Sequence, residues 1–365
     1  MAVEKQMTPM DIEGIEDEQS DIDIEIVNPD AVSIETEEGG MVIDFTGEAA
    51  EDILGPEHDG NLAEFLEDAE LQSLASELVS DFNSDRQSRK DWARSYVKGL
   101  DLLGMKIEDR QQPWAGACGV FHPVLTESVV RFQAQAMGEI FPASGPARTK
   151  IMGKMTPEKF EQSQRVENEM NYLLTEEMTE YRDETEQMLF KLPLAGSAFK
   201  KVYYDPLMER PCAMFVPAED FVVSYGASDL MTCPRYTHVM KKTPNEIVEL
   251  MVNGFYRDID LPDPEPDYSD IQEKYDELDG DEAIIEDDDR YTLLEMHVDV
   301  DLPEPFDDPD GIARPYVITI DKSSREILAI RRNWYEDDQK KKKRQHFVHY
   351  RYLPGLGFYG TGLIH

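Results

Sequence analysis

Apolar residues recur every three or four positions in the first half of the chain, a spacing that predicts amphipathic helices. Thr156-Pro157 marks one helix start, because threonine caps the free N–H groups and proline suits the first helical position. Pro193 is expected to break that helix. The three predicted helical spans are Asn61 to a stop at Gly104, Pro123 to Phe141, and Thr156 to about Leu192.

After Pro193 the pattern changes to short runs rich in β-branched and aromatic residues, which predict strands. One further helix is predicted from the capping box Thr243-Pro244-Asn245-Glu246 to Asn253-Gly254. A helical first part followed by a mostly antiparallel sheet defines an α+β fold. The predicted strands are 199–204, 212–216, 221–223, 236–240, 291–300, 316–320, 327–330 and 347–352.

Charge divides the chain into a folded part and two acidic appendages. The net charge is −41, from 36 Lys+Arg and 77 Asp+Glu. Residues 1–60 hold 19 acids and one base, and residues 258–289 hold 16 acids and one base. We therefore predict a disordered acidic tail over 1–60, a folded region over 61–365, and a flexible acidic insertion at 258–289. The alternating segment Asp21–Ile26 could add as a strand to a partner's edge, although a solvated tail is the favoured interpretation.

Composition argues against several classes of protein. The acidic balance argues against wrapping nucleic acid or binding an anionic membrane. The N-terminus lacks a secretory signal, and no apolar run is long enough to cross a bilayer. Cys118, Cys212 and Cys233 match no metal-ligand spacing and predict reduced thiols. The chain is expected to be soluble and intracellular where it is made.

No catalytic, cofactor-binding or metal-binding residue is predicted. Ser197 follows a glycine but has no visible base nearby. His346 and His349 lie in a predicted strand, where positions three apart face opposite sides and cannot share a metal. The acidic run Glu286–Asp289 lacks the spacing of a calcium loop. The basic run Lys340–Arg344 could contact phosphates or an acidic partner, but a solvated hairpin tip is the favoured interpretation.

Several stretches, taken in order, carry a resemblance to a known family. Their order and spacing resemble the portal proteins of short-tailed bacteriophages, and the resemblance covers the chain from about residue 61 to its end. The stretches are Trp114–Leu125 (WAGACGVFHPVL), Ala195–Pro206 (AGSAFKKVYYDP), Val216–Ser224 (VPAEDFVVS) with Cys233–His238 (CPRYTH), and Pro354–Gly360 (PGLGFYG).

The resemblance implies a structural protein of the virion and not an enzyme. Portal subunits form a ring, typically of about twelve copies, at one capsid vertex, through which double-stranded DNA is packaged and ejected. The implied partners are other copies of the chain, the major capsid protein and scaffold, the terminase, and head-completion or tail proteins. The ring assembles in the host cytoplasm, and neither a cofactor nor a membrane is implied.

Within that family, residues 61–365 would correspond to the wing, the part of each subunit that projects outward. The stem, clip, crown and barrel would lie beyond His365, and the apolar end of the chain is expected to be the start of a helix. Two other classes remain open. An acidic adaptor would bind a basic partner through its two acidic blocks, and a metal-dependent hydrolase or nuclease would need a carboxylate cluster that the sequence does not display.

Overall fold

The computed structural model describes residues 32–35, 41–44, 57–103, 114, 116, 122–205, 208–280 and 288–364. The chain divides into two units, residues 1–56 and residues 57–365. In the first unit, strands β1 (Val32–Glu35) and β2 (Met41–Asp44) pair in antiparallel fashion. This hairpin was not predicted within the acidic tail. The alternating segment Asp21–Ile26 lies outside the described residues.

The second unit has the predicted α+β architecture, with most of its helices preceding its strands. It begins a few residues earlier than predicted, because His58 and the carbonyl of Glu57 already form hydrogen bonds with Trp334 and Arg332. Its α-helices are α1 (Asp68–Ser88), α2 (Lys90–Leu100), α3 (Val124–Ile140), α4 (Pro157–Tyr172), α5 (Tyr181–Ala195), α6 (Pro244–Val252) and α7 (Asp270–Asp279).

Two of the long predicted helices are interrupted. Arg89 separates α1 from α2, and a π-helical turn at Leu173–Glu177 separates α4 from α5. The prediction that Pro193 ends the third helix is wrong. Pro193 lies in the last turn of α5, where its missing N–H removes only one helical bond, and the helix ends at Gly196 in the left-handed conformation.

The strands form two antiparallel sheets in the second unit. The smaller sheet has the order β10-β3-β4, and the larger has the order β5-β6-β7-β8-β9. All eight predicted strands are present, five of them two or three residues longer than predicted and β10 one residue shorter. The bounds are β3 (Ser197–Asp205), β4 (Arg210–Pro217), β5 (Phe221–Val223), β6 (Arg235–Lys242), β7 (Tyr291–Val300), β8 (Arg314–Asp321), β9 (Ile327–Arg332) and β10 (Phe347–Arg351).

The larger sheet is covered on both faces. Side chains that point to either face are therefore buried along most of β7. One face packs against α1, and Leu78 and Phe82 belong to the same buried cluster as Leu294 and Ile318. The other face packs partly against α6 and partly against the smaller sheet. The far face of the smaller sheet packs against α3 and α5.

The prediction of a flexible insertion at 258–289 is wrong for part of that segment. Ser269 caps α7 by accepting a hydrogen bond from the N–H of Gln272. Ile271 is buried against α2, and Lys274 pairs with Asp101. Residues 281–287 lie outside the described part of the chain. The acidic composition therefore hid a helix that tertiary contacts stabilise.

The last described residues also differ from expectation. Residues 353–364 contain no helix, and instead Leu353 pairs with Thr361 in an isolated antiparallel bridge. The N–H of Leu363 then donates to the carbonyl of Pro193, which fastens this segment to the end of α5. Within the described ranges, no helix is both long and apolar enough to cross a membrane.

Candidate functional site

Three of the sequence stretches that carry the resemblance meet at one place, where the two sheets touch. Phe199 of β3, Phe221 of β5 and Phe358 of the C-terminal segment stack with ring centroids 4.0 and 6.1 Å from Phe199. Tyr236 of β6 and Phe347 of β10 complete this buried group, which we call the aromatic junction. Half of the remaining stretch, Trp114–Leu125, lies outside the described residues.

Glycines bring the C-terminal segment against the start of β3. Gly196 has φ of +80°, and a Cβ there would lie 2.5 Å from both the carbonyl oxygen of Gly360 and the amide nitrogen of Gly362. No side chain fits at that distance, so both the left-handed conformation and the close contact require glycine. The two glycine-rich stretches therefore pack against each other through their backbones.

Ser197 is adjacent to this contact, and the structure places His349 beside it. Its hydroxyl accepts a hydrogen bond from the N–H of Gly360 at 2.8 Å and lies 3.0 Å from Nε2 of His349. The sequence had indicated no base near this serine. Ser197 is 1% exposed, and the His349 ring stacks with both Phe199 and Phe358. Burial lowers the pKa of His349 to about 4. The pair links β3, β10 and the C-terminal segment.

Arg89 joins the aromatic junction to the helices. Its guanidinium donates to the carbonyl oxygens of Ala218 and Phe221, each at 2.6 Å. The same group lies 4.2 Å above the Trp92 ring and 4.7 Å from the Tyr359 ring. Arg89 thus holds the turn within the stretch Val216–Ser224, and its bonds to that turn coincide with the break between α1 and α2.

A buried polar network lies next to the aromatic junction. Lys201 of β3 forms an ion pair with Glu295 of β7 at 2.5 Å, and Glu295 also accepts from His297 at 3.1 Å. The pKa of Glu295 is held well below its usual range: burial opposes ionisation, but Lys201 and His297 outweigh it. Burial lowers the pKa of His297 and takes that of the neighbouring His238 to about 3. These groups keep one carboxylate charged and the histidines neutral at pH 7.

The network has no geometry for binding a metal. Among the residues that the structure describes, no three histidine, cysteine or acidic side chains converge as a metal site. His346 bonds to Asn333 at 3.0 Å, whereas His349 bonds to Ser197, so the two histidines of the predicted strand contact different groups. Cys212 and Cys233 are buried and unpaired, and Cys118 lies outside the described part.

A second buried cation, Lys200, lies on the opposite face of β3. It is 3% exposed, donates to the hydroxyl of Thr185, and lies 3.9 Å from the centre of the Tyr181 ring. Burial lowers its pKa to about 8, and the nearby Glu184 acts in the opposite direction. Side chains alternate between the two faces of the strand AFKKVYYD, so its two adjacent lysines face opposite sides. This alternation does not indicate that both are buried.

The two charged runs singled out from the sequence are partly neutralised. Asp288 binds both Lys241 and Arg290, and its pKa is lowered strongly by those partners. In the basic run, Lys343 pairs with Asp299 at 2.9 Å. Lys340 and Lys342 are exposed. The basic run is therefore a loop between the sheets with two outward-facing lysines.

Several exposed apolar side chains lie on and just before α4. This helix has no buried side chain, although it is 16 residues long. The side chains of Asn171 and Glu167 accept hydrogen bonds from the N–H groups of Ala147 and Thr149, and the hydroxyls of Ser163 and Thr149 bond to each other, which attaches the helix to the preceding loop. We call the exposed apolar side chains of α4 and of the loop before it the α4 surface, which comprises Met152, Met155, Phe160, Val166, Met170 and Tyr172, exposed by 42–80%.

The α4 surface is a candidate contact surface on physical grounds. An isolated helix of about 16 residues is marginally stable in water, and most helix stability in proteins comes from packing. Grouped exposed apolar side chains mark sites of association. Periodicity had predicted a core-facing side for this helix, and periodicity alone cannot tell a core from an interface.

Comparisons with known proteins identify no relative. No protein-family model matches the chain, and no curated protein sequence matches it. The resemblance to portal proteins therefore depends on the quoted stretches alone.

Proposed function

We propose that this protein is a structural subunit of a bacteriophage portal and that residues 57–364 belong to its wing. The ring would stand at one capsid vertex, with double-stranded DNA passing through its channel during packaging and ejection. Three of the stretches that resemble portal proteins contribute residues to the aromatic junction. These stretches are separate along the chain but share one structural role. That role is architectural, because the junction is buried and fastens three elements together.

The α4 surface is the observation that carries the proposal of a ring. A closed cyclic assembly needs two different surfaces on each subunit, one of which meets the other on the next copy. A helix with six exposed apolar side chains in and around it supplies one such surface. The protein has no reaction of its own in this proposal. It offers a platform for terminase, head-completion proteins, capsid protein and scaffold.

The test is electron microscopy of the product of the complete gene, compared with a variant of the α4 surface. Wild type is expected to form rings of about twelve subunits with a central hole. The double variant Val166→Glu/Met170→Glu should reduce the ring fraction at least tenfold, because two charges would be buried without partners. Val252→Glu is the matched control, since Val252 is 81% exposed on α6 and should leave rings intact.

Monomers or dimers from the complete gene would contradict the portal proposal. They would favour the second candidate, an acidic adaptor, which the net charge of −41 supports. That candidate predicts loss of partner binding when the acids of residues 1–56 and 258–289 are replaced by amides. The portal proposal predicts that those replacements leave ring formation unchanged.

A further inference from the structure

The outer edge of β10 differs from the other sheet edges in the second unit. In an antiparallel pair, successive residues alternate between bonding to the neighbour and pointing away from it. The N–H of Val202 donates to the carbonyl of His346, and the N–H of Tyr352 donates to that of Gly196. Residues 346, 348, 350 and 352 therefore face β3. The backbone groups of Phe347, His349 and Arg351 point to the outside.

The three other edges are closed by side chains or loops. On β4, the N–H groups of Ala213 and Phe215 donate to Glu180 and Glu184 of α5. On β9, Asn61 acts like a short strand: it accepts from the N–H of Ile330 and donates to the carbonyl of Leu328, each at 3.0 Å.

The edge of β5 is closed in the same way. The hydroxyl of Tyr359 accepts from the N–H of Val223 at 3.3 Å and donates to the carbonyl of Phe221 at 3.0 Å. On β10, by contrast, Gln345 is the one described residue that reaches an outward group, the carbonyl of Phe347. The N–H and C=O groups of His349 and Arg351 have no partner within the described residues. Open backbone groups of this kind are a template for another strand.

Basic residues follow the acids Glu336, Asp337 and Asp338 in the sequence leading to this edge. Residues 339–365 contain six Lys and Arg and no Asp or Glu, in a protein of net charge −41. Lys340 and Lys342 before the strand are exposed, and so is Arg351 at its end. The side chain of Val348, which is 43% exposed, lies on the other face of the strand from His349 and Arg351.

We propose that β10 binds an extended acidic segment of a partner polypeptide by strand addition. The outward N–H and C=O groups of His349 and Arg351 would supply the main-chain hydrogen bonds. Apolar side chains at alternate positions of the incoming segment would lie beside Val348. Its acidic side chains would lie on the face of the strand that carries Arg351. The proposal does not depend on ring formation.

The probe is a labelled synthetic peptide that contains Asp-Ile-Asp-Ile-Glu-Ile, the sequence of residues 21–26, because its acids and isoleucines alternate as required. Its binding to the protein is measured by fluorescence anisotropy. Two further peptides carry N-methyl groups on the odd or on the even positions. One set should lose at least about tenfold in affinity, and the other should bind like the parent, because only alternate N–H groups face the edge.

A scrambled peptide with its acids grouped tests charge alone and should bind at least about tenfold more weakly. On the protein side, Arg351→Pro removes an outward N–H and the charge, whereas Arg351→Ala removes the charge only. The proline variant is expected to bind the peptide more weakly than the alanine variant.

Three results would overturn the proposal. The first is equal affinity of the two N-methylated peptides, and the second is equal affinity of the scrambled peptide. The third is self-association of the protein in sedimentation experiments that Arg351→Pro abolishes, because a second copy of the chain would then occupy this edge.

Discussion

The contact between Gly196 and the C-terminal segment should be among the most sensitive points of the fold to a single added methyl group. We consider Gly196→Ala together with a matched control, Gly254→Ala. Both glycines follow a helix with positive φ, +80° and +67°. A Cβ at Gly196 would lie 2.5 Å from backbone atoms of two other glycines, whereas a Cβ at Gly254 would have nothing within 4 Å.

The two variants share the cost of a left-handed alanine, which is about 1 kcal/mol. Gly196→Ala must in addition move the C-terminal segment. That shift threatens the hydrogen bonds from Gly360 N–H to Ser197 and from Leu363 N–H to Pro193, each worth about 1 kcal/mol. The free energy of unfolding should therefore fall by about 3 kcal/mol in Gly196→Ala and about 1 kcal/mol in Gly254→Ala.

Urea denaturation followed by tryptophan fluorescence measures this difference. For an m-value of about 3 kcal/mol/M, the midpoint should fall by about 1 M in Gly196→Ala and about 0.3 M in the control. Equal shifts in the two variants would refute the reasoning, because the close backbone contact would then contribute nothing beyond the shared conformational cost.

Two other predictions concern buried charge. Burial lowers the pKa of His238 to about 3 and of His346 to about 4, below the unfolded value of 6.5, so the unfolded chain binds protons first as pH falls. Stability to urea should decrease by about 2 kcal/mol or more from pH 7 to 5, and an unchanged midpoint would contradict this. Arg235→Ala should cost about 3 kcal/mol in thermal or urea unfolding because it leaves buried Asp85 unpaired, whereas Arg94→Ala, at an exposed pair, should cost less than about 1 kcal/mol.

Local patterns were sufficient for the elements themselves. Period-two and β-branched runs located all eight strands of the two larger sheets, and the capping box at Thr243 located α6 with both of its reciprocal hydrogen bonds. These signals succeed because they depend on neighbours within a few residues. The acidic composition around α7 misled the prediction, since the helix depends on Ile271 packing against α2.

The sequence showed the residues of these sites but not which residues they pair with. Ser197 and His349 are 152 residues apart, and Lys201 and Glu295 are 94 apart, so their pairing depends on how the strands are ordered in the sheets. Aromatic residues in three separate stretches likewise form one junction only because the two sheets meet there. The glycines at 196, 360 and 362 did indicate a close backbone contact, but they did not indicate which segment of the chain makes it.

The α+β class, the strands and the acidic character follow from the sequence alone, because hydrophobic period, turn chemistry and net charge are local or additive properties. Tertiary structure alone decided which faces are covered. The apolar stripe of α4 is exposed, the similar stripe of α1 is buried, and β10 is left with an open edge while three other edges are closed. Whether a residue is buried depends on what packs against it. Long-range packing decides this, and the local sequence pattern does not.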